Sequence, residues 1–209
     1  MMKKCYRLAP ALLLFASLGC KGSDSPPKVT APDATNPSPN DVAIVSPLEK
    51  ILSARDLAQA VLIGREVWKN ADEDWPADAK YMVKWLADKS EIFIEDIQIL
   101  EKTTTGLVLK DVASERGKRI CLERPAIVQL AKSHSSRLGM VYYSGLLQEN
   151  RQQYSIYAVK DTGTLIQKQK ARFCGIVTGI YTFKNTGGGT TISPFLVGMF
   201  DLPTNHRPK

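Results

Sequence analysis

A chain of 209 residues, 44% of them hydrophobic, holds enough apolar matter for one core with a small helical annex, which excludes a wholly disordered chain. Its formal net charge of +7 overstates the basicity of the folded part: Lys3, Lys4 and Arg7 lie in an acid-free leader, and the remaining 25 basic and 21 acidic residues leave +4. That charge is divided unevenly, with 11 Lys/Arg against 15 Asp/Glu in residues 20–110 and 14 against 6 in residues 111–209, so the C-terminal half meets a polyanion or the two halves attract each other.

Residues 1–19 have the layout of a signal peptide: a basic start, an apolar stretch from Leu8 to Leu18 and the small Gly19 ahead of Cys20. The apolar stretch is interrupted by Pro10 and falls well short of the roughly 20 residues a membrane-spanning helix needs. Ser17-Leu18-Gly19-Cys20 resembles the lipobox of bacterial lipoproteins, although Ser17 stands where Leu is usual. The resemblance implies cleavage after Gly19, acylation of Cys20 and a lipid-anchored chain in the cell envelope. Lys21 follows the cysteine, where inner-membrane lipoproteins often carry Asp, and this implies the outer membrane. Residues 20–45, with Ser25-Pro26-Pro27 and Asn36-Pro37-Ser38-Pro39, lack the apolar groups needed to order themselves and are expected to form a tether tens of Å long in order of magnitude.

Residues 46–110 are expected to hold a helical hairpin and a bridging segment. Ser46-Pro47-Leu48-Glu49 is a helix start in which Ser46 caps, Pro47 takes the first turn and Glu49 reaches back. Leu48, Ile51, Leu52, Leu57, Ala58, Val61, Leu62 and Trp68 then recur near helical spacing, with Gly64 weakening the run. A second helix follows Asp74, with Pro76 in its first turn and Ala79, Met82, Val83 and Leu86 on one side. Asp72-Glu73-Asp74-Trp75 lacks the glycine and closing Glu of a Ca²⁺ loop and reads as helix ends with an N-cap. From Glu91 to Leu109 the pattern predicts short strands or irregular bridging structure.

Beyond Lys118, β-rich segments recur at about 119–131, 138–148, 152–159, 170–184 and 190–200, which predicts a small five-stranded antiparallel barrel over residues 111–203 and a tail over 204–209. Tyr154, Ile156 and Ala158 should share one face, and Phe173, Val177, Tyr181 and Phe183, with Gly175 and Gly179, another. Asn185 to Gly189 forms the last hairpin turn. The five-strand pattern resembles an OB-fold. Arg116-Gly117-Lys118-Arg119, Phe173-Cys174-Gly175, Gly187 to Thr191 and Val197 to Pro203 resemble the C-terminal domains of uncharacterised lipoproteins of the myxobacterial type, a likeness that implies no activity. The fold class is therefore α+β: an N-terminal helical hairpin plus a five-stranded OB-like β-barrel.

With Cys5 removed and Cys20 acylated, Cys121 and Cys174 are left in an oxidising compartment and are expected to form one disulfide. Closing a loop of about 50 residues contributes roughly 3 to 4 kcal/mol on the chain-entropy estimate.

For chemistry, Asp161-Thr162-Gly163 reproduces the aspartic-protease tripeptide but follows Lys160 and reads better as a tight turn. Gly187-Gly188-Gly189-Thr190-Thr191 lacks the Gly-Lys-Ser/Thr of a phosphate loop. His134, expected in a polar loop, and His206 have no companions at metal spacing, so no metal, cofactor or nucleophilic machinery is expected. Arg116, Lys118, Arg119, Arg124, Lys132, Arg137, Arg151, Lys168, Lys170 and Arg172 accompany Tyr142, Tyr143, Tyr154 and Tyr157, a mixture with which OB barrels grip single strands or sugars. The expectation is a non-enzymatic binding or assembly module that engages another envelope protein or a polyanionic glycan, with nucleic acid an unexpected partner. The alternative is an envelope hydrolase using carboxylates such as Asp161 or those of Asp72 to Asp74.

Overall fold

In the computed structural model, which describes residues 46–160, 162, 163, 165 and 167–202, the chain opens with the expected helix start. Ser46 Oγ accepts from Glu49 N at 3.2 Å and Glu49 Oε2 accepts from Ser46 N at 3.1 Å, a capping box ahead of α1 (Pro47–Leu52). The run read as one helix to Trp68 is two helices. Asp56 restarts it, accepting from Gln59 N at 2.8 Å, and α2 spans Leu57–Val67. The break is fixed from outside, where the buried Trp85 Nε1 donates to Ala54 O at 2.9 Å. Gly64 also has a tertiary reason: a Cβ there would stand 2.1 Å from the Trp68 indole, so only glycine admits that ring.

A two-residue strand β1 (Ala71–Asp72) precedes α3 (Ala79–Asp88). The cap of α3 is Asp78, not Asp74: its carboxylate accepts from Ala79 N at 2.8 Å and from Lys69 N at 2.6 Å, tying the helix to the end of α2. Three helices therefore stand where a two-helix hairpin was expected. Residues 91–109 are also corrected, because they hold α4 (Ile94–Ile99) and α5 (Thr105–Lys110), with α6 (Val112–Glu115) after them. Local caps decide this. Phe93 N donates to Asp96 Oδ2 at 2.7 Å, and Leu107 N donates to Thr104 Oγ1 at 3.3 Å, so a threonine run with β propensity serves as a helix start.

The remaining strands are β2 (Arg119–Cys121), β3 (Ala126–Ser135), β4 (Met140–Glu149), β5 (Gln152–Ala158), β6 (Lys170–Lys184) and β7 (Thr190–Asp201). The protein is thus α+β with a seven-stranded sheet rather than a five-stranded one. One added strand is β1, parallel to β6; the other arises because the segment read as 119–131 splits at Leu122–Pro125, where Pro125 offers no N–H to a ladder. Pairing runs from β6 to β3, β4, β5, β7 and back to β6, with β5–β7 parallel and the other four contacts antiparallel; β2 is an extra partner of β6. The β6–β7 turn is the expected one: Asn185 Oδ1 accepts from Gly187 N at 3.1 Å and Gly189 N at 3.0 Å, and Gly188 takes φ +79°.

Two apolar clusters follow from this circuit. One joins Ala126, Val128, Leu147, Tyr154, Ile156, Ala158, Phe173, Val177, Leu196 and Phe200 with Val108 of α5. The other joins Tyr157, Ile176, Phe195, Val197 and Met199 to Ile51, Trp68, Met82, Trp85 and Leu86 of the helices. The expected shared face of β5 is present, since Tyr154, Ile156 and Ala158 enter one cluster. The expected face of β6 is not. A register shift between Val177 and Gly179 leaves Phe173 and Val177 in the first cluster and sends Tyr181 and Phe183 to the second, as an extra residue reverses the alternation. Cys121 and Cys174, opposite each other in the β2–β6 ladder, form the disulfide across 53 residues.

Candidate functional site

The basic entry to the sheet is engaged within the molecule. Arg116 Nε donates to Thr178 O at 3.2 Å and its Nη2 to Asn70 Oδ1 at 2.8 Å, while Arg119 Nε donates to Leu100 O at 2.7 Å. Lys118 Nζ lies 2.9 Å from Glu115 Oε1 and 3.0 Å from Glu101 Oε1. Thr103 Oγ1 donates to the other oxygen of Glu115. These three half-buried cations hold the helical segment to β2 and β6.

The Thr103 hydroxyl first, then Lys118, hold the Glu115 carboxyl below the usual carboxylate range against the opposing effect of burial. A carboxyl depressed in the folded state adds stability above its unfolded pKa and loses it as pH falls through the folded value. Glu115→Gln should therefore unfold at lower urea than wild type at about pH 7, with the gap narrower at about pH 3, below the ordinary carboxylate pKa. Urea midpoints at the two pH values check this; an equal gap at both would remove the carboxylate charge as the cause.

The tyrosines lie deeper than the cations. Tyr142, Tyr154 and Tyr157 are buried, at 5%, 2% and 0% exposure. Because both faces of β5 are covered, Tyr154 fills one cluster and Tyr157 the other. Tyr154 OH donates to Gln152 Oε1 at 2.8 Å and accepts from Thr105 Oγ1 at 3.1 Å. Burial pushes the hydroxyls of Tyr154 and Tyr157 above the ordinary tyrosine range. Lys160, adjacent to the protease-like tripeptide, donates to the carbonyls of Ile92 and Ser90 and sits 4.8 Å from the Phe93 ring centre.

Of the expected cations, Arg124, Lys132, Arg137, Arg151, Lys168, Lys170 and Arg172 are exposed, and the last three form a short series at the start of β6. Lys168, Lys170 and Arg172 are exposed, and among the described residues no ion pair involves them. Lys168 takes φ +69° and its N–H donates to Val128 O at 2.8 Å. Lys170 pairs with the part-exposed Ile127 of β3, and Arg172 with Asp201 of β7. Asp161, Cys20 and His206 lie outside the described residues. His134 is on β3, opposite Val141, rather than in a loop. No group of three or more metal-ligating side chains occurs among the described residues.

Two open clefts were not anticipated. A polar one of 590 Å³ is lined by Thr104, Thr105, Arg124, Glu149, Gln152 and Tyr154 among others. The second, of 470 Å³, is lined by Glu73, Trp75, Leu146, Tyr181, Phe183 and Lys184. Trp75 lies 5.2 Å from Tyr181 and 5.6 Å from Tyr157 between ring centres, and Tyr181 is 5.2 Å from Phe183 at an interplanar angle of 22°. Glu73 and Lys184 form an ion pair of 3.2 Å at the rim, with 67% and 78% of their side chains exposed. The grouping was hidden because Trp75 and Phe183 are 108 residues apart and only the parallel β1–β6 pairing brings them together. The one local signal was the acidic Asp72-Glu73-Asp74 run, which here ends β1 and bends away from it.

Fold and surface define an α+β protein with a ringed sheet, a covering helical layer and one disulfide. No family model, no curated protein and no solved structure matches this chain.

Proposed function

We propose that this chain is a lipid-anchored protein of the bacterial cell envelope, held at the outer membrane through Cys20, whose folded part is a non-enzymatic OB-like barrel that binds a polyanionic glycan. The barrel reading is supported by the circuit β3–β4–β5–β7–β6–β3 with its single parallel contact, β5 to β7. Numbered from β3, that order is 1-2-3-5-4, the connection pattern of a five-stranded Greek-key barrel of the OB type. The helices at one end supply Val108 to its interior.

The observation that carries the ligand class is the contrast among the basic residues. Arg116, Lys118 and Arg119 are bonded within the fold, whereas Lys168 in the turn before β6 and Lys170 and Arg172 on it are exposed within five residues of one another. Unpaired cations side by side repel one another, and a polyanion relieves that repulsion. Because Arg172 faces Asp201 across the ladder, the two lysines should contribute more than the arginine.

The test is titration of the mature lipoprotein, in detergent micelles, with dextran sulfate at low and high salt. Affinity should fall steeply with salt, because bound counterions are released. Lys168→Ala/Lys170→Ala/Arg172→Ala should bind at least about tenfold more weakly at low salt, with a salt slope reduced by up to about one unit per cation removed. Binding that is insensitive to salt, or undiminished in the triple variant, would refute the assignment.

A further inference from the structure

We propose that the cleft between Trp75 and Phe183 is a second, independent binding site, which takes the pyranose ring of a neutral glycan. This goes beyond the polyanion reading and does not rest on it.

The floor of the cleft is aromatic. Trp75, Tyr181 and Phe183 follow one another with ring centres 5.2 Å apart at each step and small interplanar angles of 30° and 22°. Tyr181 is itself buried between its two neighbours, so the half-buried Trp75 and Phe183 are the rings offered to a flat ligand with an apolar face. A pyranose presents one face of C–H groups, whose slightly positive hydrogens are attracted to the negative face of an aromatic ring. The cleft volume of 470 Å³ lies within the roughly 300–1,000 Å³ of small-ligand sites, and its mixture of aromatic floor and few polar rim groups is the usual one.

The rim selects charge. Glu73 accepts hydrogen bonds and Lys184 donates them, so the pair can satisfy ring hydroxyls in both directions. Their charges cancel at 3.2 Å, and the nearby carboxylates of Asp72 and Asp74 act on the Tyr181 hydroxyl, so the cleft disfavours a polyanion, unlike the cations at the start of β6. An exposed pair of this kind is held weakly and can exchange its internal contact for ligand hydroxyls.

The turn that carries Trp75 is built to hold one shape. Glu73 takes φ +61°, a left-handed conformation uncommon for a residue with a side chain. Its N–H donates to Thr182 O at 2.9 Å, and its carbonyl accepts from Tyr181 OH at 2.7 Å. Asp74 N donates to Asp72 O at 2.7 Å. An unfavourable conformation tied down at three points, next to an open cleft, is the pattern of a pre-organised site, in which little ordering remains to oppose binding.

The chain carries its own reporter. Of its three tryptophans, Trp68 and Trp85 are buried at 2% and 1% exposure while Trp75 lines the cleft, so a ligand there should change the emission of Trp75 alone. The mature protein is titrated with neutral hexasaccharides of glucose and of N-acetylglucosamine, at low and high salt. The expected result is saturable change with at least one of them, the same affinity at both salt concentrations, and about tenfold weaker binding in Phe183→Ala. Lys184→Met keeps the fold while removing the rim donor and should weaken binding severalfold. The Lys168/Lys170/Arg172 triple alanine variant should bind the sugar as wild type does, which separates this site from the polyanion surface. The proposal is overturned if neither sugar gives a saturable response, if Phe183→Ala and Lys184→Met both bind as wild type, or if the response follows the three β6 cations.

Discussion

Replacing Cys121 and Cys174 together by alanine should lower the unfolding free energy by about 4 kcal/mol, the chain-entropy value for closing a loop of this length, 53 residues. With a urea slope of roughly 2 kcal/mol per molar for a domain of this size, the midpoint should move down by about 2 M. The folded structure should survive. β2 stays on β6 through backbone bonds that owe nothing to sulfur: Gly117 N donates to Val177 O at 2.8 Å, Val177 N to Lys118 O at 2.8 Å and Leu122 N to Phe173 O at 2.8 Å. Most of the effect therefore lies in the unfolded chain, which regains the freedom of the open loop. A reductant should shift wild type towards the variant and leave the variant where it is. Coincident midpoints for oxidised wild type and the double variant would show that the bridge contributes nothing.

The parts of this fold that could be read in advance obey rules written within a few residues. The capping box at Ser46 and Glu49, the outward and inward alternation of β5, and the Asn185–Gly189 turn are local agreements between side chain and backbone. The disulfide was reached by counting cysteines. Three of the differences have one origin, in that a single residue changes the register. Asp56 restarts a helix that apolar spacing would continue, Pro125 divides a strand, and the extra residue between Val177 and Gly179 exchanges the faces of β6. Periodicity, as an average over a window, does not detect a single-residue offset.

The candidate surface was less legible than the fold for a different reason. Reading Tyr142, Tyr154 and Tyr157 as ligand contacts assumed a sheet with one wet face, as antiparallel sheets often have. Here the helices cover the outer face of β5 and β7 while the inner face is packed, so Tyr154 to Val159 are buried without alternation. The internal bonds of Arg116 and Arg119 were hidden for the complementary reason: their acceptors, Asn70, Thr178 O and Leu100 O, are distant in sequence or are backbone atoms, which composition does not reveal. Charge counts do register the opposite signs of the two halves. The Lys118–Glu101 bridge, 3.0 Å apart, is a place where an acid of the first half meets a base of the second, and the Lys102–Glu123 pair, 3.2 Å apart, is the reverse.

Cys20→Ser should remove fatty acylation completely, so that labelled palmitate enters the wild-type chain and not the variant. The lipid anchor and the disulfide are linked by thiol arithmetic, which gives a second measurement of the same proposal. The chain has four cysteines; if the leader takes Cys5 and acylation occupies Cys20, the purified, denatured wild type has no reactive thiol before reduction and two after it. If the leader were removed by ordinary secretion and Cys20 left bare, the counts would be one and three. Anchoring also differs in kind between these cases. A single acyl chain gives reversible attachment with an association constant of only about 10⁴ M⁻¹, whereas two or more chains hold a protein at the membrane durably. Wild type should therefore enter the detergent phase of a two-phase partition. Wild-type protein that stays in the aqueous phase, incorporates no palmitate and shows one thiol would refute the lipoprotein assignment, leaving the disulfide and the cleft to be judged by their own tests.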